Sequence, residues 1–389
     1  MNDKIHGQVN LTSKLPQVGT SIFTEMSQLA GKLNALNLSQ GFPEFEMPEF
    51  LKSAVSEAIE QGKNQYAPSF GVPELLEQIT QLVLRQYQLP VTGMENITVT
   101  SGATEALFVA IQALVKTGDE VIVFDPAYDC YEPAVNLAGG KCVHLSLNAP
   151  DYRVDWQGVA QVINSKTRAI IINSPHNPTG SLLTDDDMLA LQQLACEHNL
   201  FVISDEVYEF ITFDGKTHQS VMRYPELFAR SMVISSFGKT FHCTGWKLGY
   251  CVAPSALTVE FRKIHQYVTF SSFTPAQVGI SKMLQAHPEH IEQLPAFYQQ
   301  KRDYLVSALQ DSQFKILPCH GTYFLLLDYS QISTLSDREF CHWLAAEVGV
   351  AAIPLSPFYA EPTTDKVIRL CFAKNEQSLK LAAEKLCQL

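Results

Sequence analysis

Between residues 97 and 253 short β-branched runs alternate with helical patterns, and this alternation restricts the possible folds more than any other feature of the chain. Several of the runs, such as VIVF and AIII, are apolar at consecutive positions, which is typical of strands that are covered on both faces. Strands joined by helices form a mainly parallel sheet with helices on both sides. We predict strands at 97–100, 120–124, 168–173, 201–204, 232–236 and 249–253, and helices at 103–115 and at 185–198 behind an N-cap at Thr184.

The pattern changes after residue 284. A polar helical stretch, EQLPAFYQQKRDYLVSALQ, leads to GTYFLLLDYS, a helix near 337–348, the strand-like VIRLCFAK and a final helix. These elements predict a smaller α+β domain beside the large α/β domain. We expect the large domain to span 46–284 and the small domain to comprise 1–45 and 285–389. The chain has no Gly/Ser linker, so the two should pack closely.

Composition argues against several classes of protein. The chain is 46% hydrophobic and 17% charged, as in an ordinary globular protein, and its net charge of −12 disfavours nucleic-acid or anionic membrane partners. We find no apolar leader and no run of about 20 apolar residues that would span a membrane. Nine scattered cysteines without a C-x-x-C pair indicate reduced thiols in a cytoplasmic protein. His287 and His290 are interpreted as part of a helix start, so no metal site is predicted.

The segment SSFGKTFHCTGWKLGY, residues 235–250, contains the residues of greatest chemical interest. Lys239 follows an apolar strand, where a turn at the edge of the sheet is expected, although a surface lysine is the simplest interpretation. A nucleotide-binding P-loop would need a glycine at the position of Val233. The S-x-x-K arrangement that starts at Ser236 lacks the companion motifs of serine acyl-enzymes.

This segment resembles fold-type I pyridoxal-phosphate-dependent aminotransferases, specifically the kynurenine/glutamine and methionine aminotransferase branch of class I. In that family the pattern S-x-G-K-T-[FY]-x-x-T-G-W-[KR]-x-G carries the lysine that binds the cofactor as a Schiff base. Further motifs follow the family's order from about residue 38 to residue 374. The resemblance implies pyridoxal 5'-phosphate as the cofactor, and Lys239 as both its covalent site and the catalytic base.

The resemblance also assigns residues to the cofactor ring. Asp205, in ISDEVYEF, would keep the pyridine nitrogen protonated so that the ring withdraws electrons. Tyr208 in the same segment and Asn177 in NSPHNPTG would hydrogen-bond the phenolic oxygen of the ring, and Tyr128 in DPAYDCYEP would stack on it. The simpler interpretations are turn or cap residues for Asp205 and Asn177, and core aromatics for the two tyrosines.

A phosphate site is predicted at the segment TSGATEAL. It places Gly102, Ala103 and Thr104 at a strand-to-helix junction, where free amides and the helix dipole attract an anion. The resemblance adds Ser236 and Lys247 as further phosphate contacts. Many relatives have arginine at the latter position, and lysine keeps the charge but loses the bidentate fork.

Substrate contacts and assembly follow from the same resemblance. Arg369, in VIRLCFAK, would bind the substrate α-carboxylate together with Asn177, since an arginine inside an apolar strand is costly without a fixed anion. Gly41, in LSQGFPEF, would approach the substrate with its backbone unless it is a simple turn glycine. Tyr66 and Phe270 match residues that reach the site of a neighbouring subunit, the first at the phosphate and the second at the substrate. The implied assembly is a homodimer with shared active sites.

The implied reaction moves the amino group of an L-amino acid to a 2-oxo acid in a ping-pong cycle, with Lys239 transferring the α-proton. The alternatives are a carbon–sulfur β-lyase on the same fold, a non-catalytic ligand sensor, which would normally carry a DNA-binding module that this chain has no segment for, and a nucleotide hydrolase, which the missing P-loop glycine opposes.

The side chains expected near the substrate favour methionine and aromatic amino acids over aspartate. The segment QYVTFSSFTPAQ, which matches the neighbour's contribution, has no arginine or lysine for a second carboxylate and offers Phe270 and Phe273. Phe42 and Phe45 predict an aromatic pocket mouth, where apolar side chains gain and a second charge costs free energy. The alternative is a cation from elsewhere, such as Arg153 or Lys14.

Overall fold

The computed structural model describes residues 11–389. Its helices are α1 Ile22–Leu33, α2 Glu49–Glu60, α3 Pro73–Tyr87, α4 Gly93–Asn96, α5 Ala103–Leu114, α6 Tyr131–Leu137, α7 Trp156–Val162, α8 Asp185–Glu197, α9 Pro225–Phe228, α10 Phe237–Thr240, α11 Ser255–Val268, α12 Thr274–Ala286, α13 Glu289–Ala308, α14 Asp337–Trp343 and α15 Glu376–Leu386. Its strands are β1 Leu36–Asn37, β2 Ile97–Thr100, β3 Glu120–Asp125, β4 Lys141–Ser146, β5 Thr167–Asn173, β6 Phe201–Asp205, β7 Ser231–Ser236, β8 Gly249–Val252, β9 Lys315–Ile316, β10 Phe324–Asp328, β11 Val350–Ala351, β12 Ile353–Pro354 and β13 Val367–Cys371.

The centre of the molecule is a seven-stranded sheet in the order β2-β8-β7-β6-β5-β3-β4. All of its neighbouring pairs are parallel except those of β8, which is antiparallel to both β2 and β7. Successive side chains of one strand enter different cores. In β5, Ile171 packs in the core that contains α5 and α11, whereas Ile170 and Ile172 pack on the side of α8. The predicted α/β fold, with a mainly parallel sheet between helices, is confirmed.

Strand β4 was not predicted, although the other strands of this sheet lie within one residue of their predicted ends. It is an edge strand whose residues are mostly half-exposed or exposed, so its sequence KCVHLS lacks the continuous apolar run of the inner strands.

The predicted N-cap of α8 is confirmed. The Thr184 side chain accepts from the backbone N–H of Asp187, and the Asp187 carboxylate accepts from the backbone N–H of Thr184.

A second sheet, in the order β12-β13-β10-β9, is antiparallel and lies in the last third of the chain with α13, α14 and α15. The N-terminal strand β1 pairs with β11 of this region, so both ends of the chain come together. This pairing supports the division into a large domain, 46–284, and a small domain, 1–45 with 285–389, which stays a proposal. The first ten residues of that small domain lie outside the described range. Within residues 11–389 no helix is long and apolar enough to cross a membrane.

Candidate active site

A cavity of about 220 Å³ opens beyond the carboxyl ends of β5, β6 and β7, where ligands bind in sheets of this kind. Separate segments of the chain contribute to it through the residue that ends each strand and through the loops that follow. The predicted site residues that line it are Gly41, Gly102, Ala103, Thr104, Tyr128, Asn177, Asp205, Tyr208, Ser236, Lys239, Lys247 and Arg369. Two predicted residues, Tyr66 and Phe270, lie elsewhere on the chain's surface.

Lys239 lies in the single turn of α10, directly after β7, and its half-buried side chain enters the cavity. Its Nζ donates to the hydroxyl of Tyr323 at 2.9 Å and to the carbonyl of Gly41 at 3.3 Å. Desolvation lowers the pKa of this amine to about 8, and the positive charges of Lys247 and Arg369 act in the same direction. An amine with this pKa is populated in its neutral form near pH 7 to 8, as a proton-transfer group requires.

Asp205 ends β6 and is buried. Tyr131 donates its hydroxyl proton to Oδ2 at 2.7 Å, and the backbone N–H of Val207 lies 3.4 Å from Oδ1. Burial raises the pKa of the carboxyl to about 6, and the Tyr131 hydrogen bond opposes that rise. A carboxylate with two donors has lone pairs left for a further cationic N–H donor in the cavity.

Arg369 is a cation inside β13 that is only 1% exposed. Its Nη1 donates to Oδ1 of Asn177 at 2.9 Å and its Nη2 donates to the carbonyl of Ser39 at 3.1 Å, whereas Nε has no partner in the part of the chain that the structure describes. The guanidinium lies 3.9 Å from the ring centroid of Phe324. Among residues 11–389 no carboxylate forms a salt bridge with Arg369. A buried cation with neutral partners favours an anionic ligand.

The part of the cavity at the start of α5, called here the polyanion end, is suited to a polyanion. Gly102 is the N-cap of α5 at φ 84°, and the amides of Ala103 and Thr104 begin the helix without an intrahelical carbonyl to bond. The side chain of Lys247 lies against this turn, since a Cβ at Gly102 would be 3.3 Å from its Cε. The helix amides, the ammonium and Ser236 therefore line the same end of the cavity.

Tyr208 and Tyr128, the two tyrosines predicted to contact the cofactor ring, both line the cavity. Tyr208 is buried and stands edge-on to Tyr323, with ring centroids 5.1 Å apart, and burial raises the pKa of its hydroxyl. It therefore remains a hydrogen-bond donor at neutral pH. Tyr128 stands edge-on to Tyr131 at 5.8 Å, and burial raises the pKa of its hydroxyl too.

Gly41 approaches the site so closely that a side chain would not fit. A Cβ at this position would lie 2.9 Å from Cζ of Phe324, the ring that the Arg369 guanidinium also contacts. Its carbonyl accepts hydrogen bonds from both Lys239 and Tyr323. The requirement for glycine thus comes from close packing against Phe324, and the predicted approach of this backbone to the substrate stays a prediction.

The aromatic pocket mouth was predicted from the wrong residues. Phe45 packs edge-on against His242 at 4.7 Å and lines a separate cavity, and Phe42 is exposed beside Lys374. Phe23 and Phe324 supply aromatic rings to the site instead. The two alternative cations are also elsewhere: Arg153 lines another cavity, and Lys14 is exposed in the N-terminal segment.

Sequence reasoning missed several residues of the site. Tyr131 lies three residues after the predicted Tyr128, and Tyr323 lies in the apolar run GTYFLLLDYS, which was interpreted only as a strand. A polar hydroxyl inside such a run was the available signal for Tyr323, because a buried hydroxyl needs a partner. The residues missed are Phe23, Gln40, Tyr131, Asn173, Tyr323 and Phe324.

Tyr66 and Phe270 lie together outside this cavity. Their ring centroids are 5.3 Å apart, and their exposed fractions are 83% and 45%. Tyr267 in α11 and Phe273, the N-cap residue of α12, are exposed as well. These four residues form what we call the aromatic patch, and exposed aromatic surface of this kind marks interaction sites.

Comparison with known proteins places this geometry in a family. The family Aminotransferase class I and II matches residues 34–386. Methionine aminotransferase of Escherichia coli (strain K12) is 55% identical over 377 residues, which are 97% of this chain and 98% of that protein. Kynurenine–oxoglutarate transaminase 1 of Homo sapiens is 32% identical over 407 residues, 96% of each chain. A solved structure of an Escherichia coli methionine aminotransferase has a TM-score of 0.96 and 55% identity, covering 98% of this chain and 100% of that one.

Proposed function

The chain belongs to the class I and II aminotransferases and is a pyridoxal-phosphate-dependent transaminase, and we propose that it uses the cavity at Lys239 to transaminate methionine and aromatic L-amino acids. The transaminase acts on an amino acid and a 2-oxo acid. The observation that carries the proposal is the convergence of an amine of lowered pKa, Lys239, with a buried carboxylate, Asp205, and a buried cation, Arg369, that pairs with no carboxylate in residues 11–389.

The charged, hydrogen-bonding and aromatic groups that line the cavity fit pyridoxal phosphate. Asp205 would pair with the protonated pyridine nitrogen, because its buried carboxylate has lone pairs left. Oδ1 of Asn177 accepts from Arg369, so its Nδ2 is the group that would donate to the phenolic oxygen, as would the hydroxyl of Tyr208. The phosphate would bind at the polyanion end described above, with Lys247 as its counter-ion. Tyr128 would stack on the ring.

When bound, the cofactor supplies an electron sink that stabilises negative charge at the substrate α-carbon. The chain's own residues orient the substrate and move its proton. Arg369 would hold the α-carboxylate, which fixes the α-carbon relative to Lys239. Lys239 Nζ would then take and return the α-proton. The rings of Phe23 and Phe324 flank the guanidinium at 5.3 and 3.9 Å and exclude water from it.

The proposed preference for methionine and aromatic side chains rests on the charges of the cavity. Among the described residues its lining offers three cations, Lys239, Lys247 and Arg369, and each has a role in the proposal already. A second carboxylate on the substrate would therefore be buried without a dedicated partner, whereas a thioether or a ring would pack against Phe23 and Phe324. The similarity to an Escherichia coli methionine aminotransferase supports this assignment.

We expect methionine and phenylalanine to exceed aspartate in kcat/KM by at least about 100-fold with a common 2-oxo acid acceptor, because an unpaired buried charge costs several kcal/mol. Steady-state kinetics with a panel of amino acids measure this ratio. Asparagine, the uncharged isostere of aspartate, separates charge from size, and norleucine separates the methionine sulfur from its length. Aspartate that matches methionine in kcat/KM would contradict the assignment.

We propose further that the active unit is a homodimer with shared sites. The aromatic patch is exposed on this chain and does not reach its own cavity, so its residues can serve a partner's site. In that arrangement Tyr66 would help to hold the phosphate of the partner's cofactor, and Phe270 would contact the partner's substrate. The two rings already pack edge-on, which would present them to the partner as one unit.

Shared sites predict complementation between two inactive variants. Mixing and refolding Tyr66→Ala with Lys239→Ala should restore about a quarter of the wild-type activity, because half of the dimers are mixed and each has one intact site. The matched control is Lys239→Ala with Arg369→Met. Both residues belong to the cavity of one chain, so no combination rebuilds a site. A mixed Tyr66→Ala and Lys239→Ala dimer, verified by mass spectrometry, that stays inactive would refute the shared sites.

The proposed cytoplasmic location rests on the cysteines. All nine lie within the described residues and all are free thiols. Six of them are buried, where they act as small apolar side chains. Free thiols persist in a reducing compartment, which supports the proposal.

A further inference from the structure

Tyr323 connects three segments of the chain at the proposed catalytic lysine. It immediately precedes β10, is fully buried, and places its hydroxyl 2.9 Å from Lys239 Nζ and 2.6 Å from the carbonyl oxygen of Gly41. The other partner of Nζ is the same Gly41 carbonyl. Tyr323 is therefore the one side chain among the described residues that hydrogen-bonds this amine.

The direction of these hydrogen bonds follows from counting protons. A phenol has one proton, and a carbonyl oxygen can only accept, so Tyr323 donates to Gly41. The phenol oxygen must then accept from Lys239. Burial raises the pKa of the Tyr323 hydroxyl well above its ordinary value, so the phenol keeps its proton. Tyr323 thus acts as a fixed acceptor for the amine.

The phenol ring itself has little freedom. It is edge-on to Tyr208, with ring centroids 5.1 Å apart, and lies 5.6 Å from Tyr298. Its backbone carbonyl accepts from the N–H of Phe372. The preceding Thr322 has a φ of 65°, and its side-chain hydroxyl accepts from the backbone N–H of Phe324. Close packing and these backbone bonds hold the hydroxyl in one place.

We propose that Tyr323 is a positioning residue, which holds the ε-amine of Lys239 in the cavity whenever that amine is free of the cofactor. The inference rests on the proposed function and extends it to a residue outside the lysine motif. A freed lysine side chain has four rotatable bonds and can adopt many conformations. With the phenol oxygen and the Gly41 carbonyl as acceptors, the amine keeps the orientation from which it moves the substrate proton.

The test compares Tyr323→Phe with Tyr298→Phe. Tyr298 is an equally buried neighbour whose hydroxyl has no hydrogen-bond partner in the described part of the chain, so its loss removes no bond to Lys239. Tyr323→Phe should lower kcat with methionine by about 10- to 100-fold while KM changes little, because a hydrogen bond to a charged group is lost. Tyr298→Phe should keep the wild-type kcat.

A second measurement needs neither cofactor nor turnover. The fraction of Lys239 acetylated in the apoenzyme is followed against pH by mass spectrometry, with Lys247 as an exposed internal reference. An acceptor stabilises the ammonium more than the amine, so Tyr323→Phe should move the labelling midpoint of Lys239 to lower pH. The other groups that face the amine are the same in the wild type and in Tyr323→Phe. They are Asp205, Tyr208, Lys247, Arg369 and Cys371.

The two readouts separate the possible failures. A wild-type protein that shows no transamination with any amino acid overturns the proposed function, yet the labelling midpoint still tests the contact. An active wild type whose Tyr323→Phe variant matches Tyr298→Phe in kcat and in labelling midpoint overturns the positioning role. Thermal unfolding of both variants identifies any loss of fold. If Tyr323→Phe unfolds, Tyr323→Leu replaces it in the labelling experiment. The same shift of the labelling midpoint to lower pH is then expected, and its absence overturns the positioning role.

Discussion

Lys239→Ala should lower the rate of transamination by at least about 10⁴-fold, the upper range for a positioned acid–base group, and the purified variant should hold no covalently bound cofactor. The substitution removes the amine that bonds the cofactor as well as the group that moves the α-proton. The cavity remains otherwise intact, because Lys239 hydrogen-bonds only Tyr323 and Gly41 within the described residues. Single-turnover kinetics with methionine measure the loss.

The matched control for this variant is Lys301→Ala. Lys301 is also a lysine whose pKa is lowered by burial, and it lies over the rings of Phe45 and Phe297 in the separate cavity. Its removal should change the rate by no more than a few-fold, since the contacts of its ammonium within the described residues, the rings of Phe45 and Phe297 and the carbonyl of Lys374, lie outside the site. A Lys239→Ala protein that keeps a tenth or more of the wild-type rate would mean that another group does the chemistry.

Arg369→Met should lower kcat/KM for methionine by roughly 100- to 5,000-fold, the equivalent of about 3–5 kcal/mol for an anion that loses its buried cationic partner. The same change should leave the melting temperature unchanged or raise it. The guanidinium is 1% exposed, and within the described part of the chain it hydrogen-bonds only neutral groups and leaves Nε without a partner, so a methionine of similar volume relieves a desolvation cost.

Arg302→Met provides the opposite pattern as a control. Arg302 is also nearly buried, but Asp214 and Asp303 pair with it at 2.6 Å each, so its loss should destabilise the fold with little effect on the activity of the folded fraction.

Decarboxylated methionine tests the assignment from the substrate side. Wild type and Arg369→Met should process this amine at similar low rates, and a large remaining difference between them would show that Arg369 does not bind the carboxylate.

Sequence predicts those parts of the fold and of the site in which a local pattern of residues is compatible with a single structure. Inner strands such as β5 carry a central run of buried apolar residues, here 169–172, because both faces are covered, and the carboxyl ends of β5 and β6 carry Asn173 and Asp205 side by side in register. A parallel arrangement thus brings motif residues together even though long helices separate them in sequence. Strand β4 escaped prediction because an edge strand is only partly covered.

The residues that could not be predicted depend on contacts between distant segments. Tyr323 reaches Lys239 from 84 positions away, and Phe23 reaches Arg369 from the far end of the chain. Phe45, in contrast, was predicted at the pocket mouth but lies outside the site. It is close in sequence to Gly41, yet the chain turns away after the glycine and packs Phe45 on His242. Sequence proximity to a site residue is therefore a weak guide to pocket composition when a loop intervenes.

The central claim is that Lys239 carries the cofactor, and borohydride reduction of the holoenzyme followed by peptide mapping tests it most directly. Reduction makes the bond between lysine and cofactor permanent, so the modified peptide identifies the residue. We expect the pyridoxyl group on Lys239, in the peptide that contains SSFGKTFHCTGWK. Its recovery on Lys247, on Lys301 or on no lysine would contradict the claim.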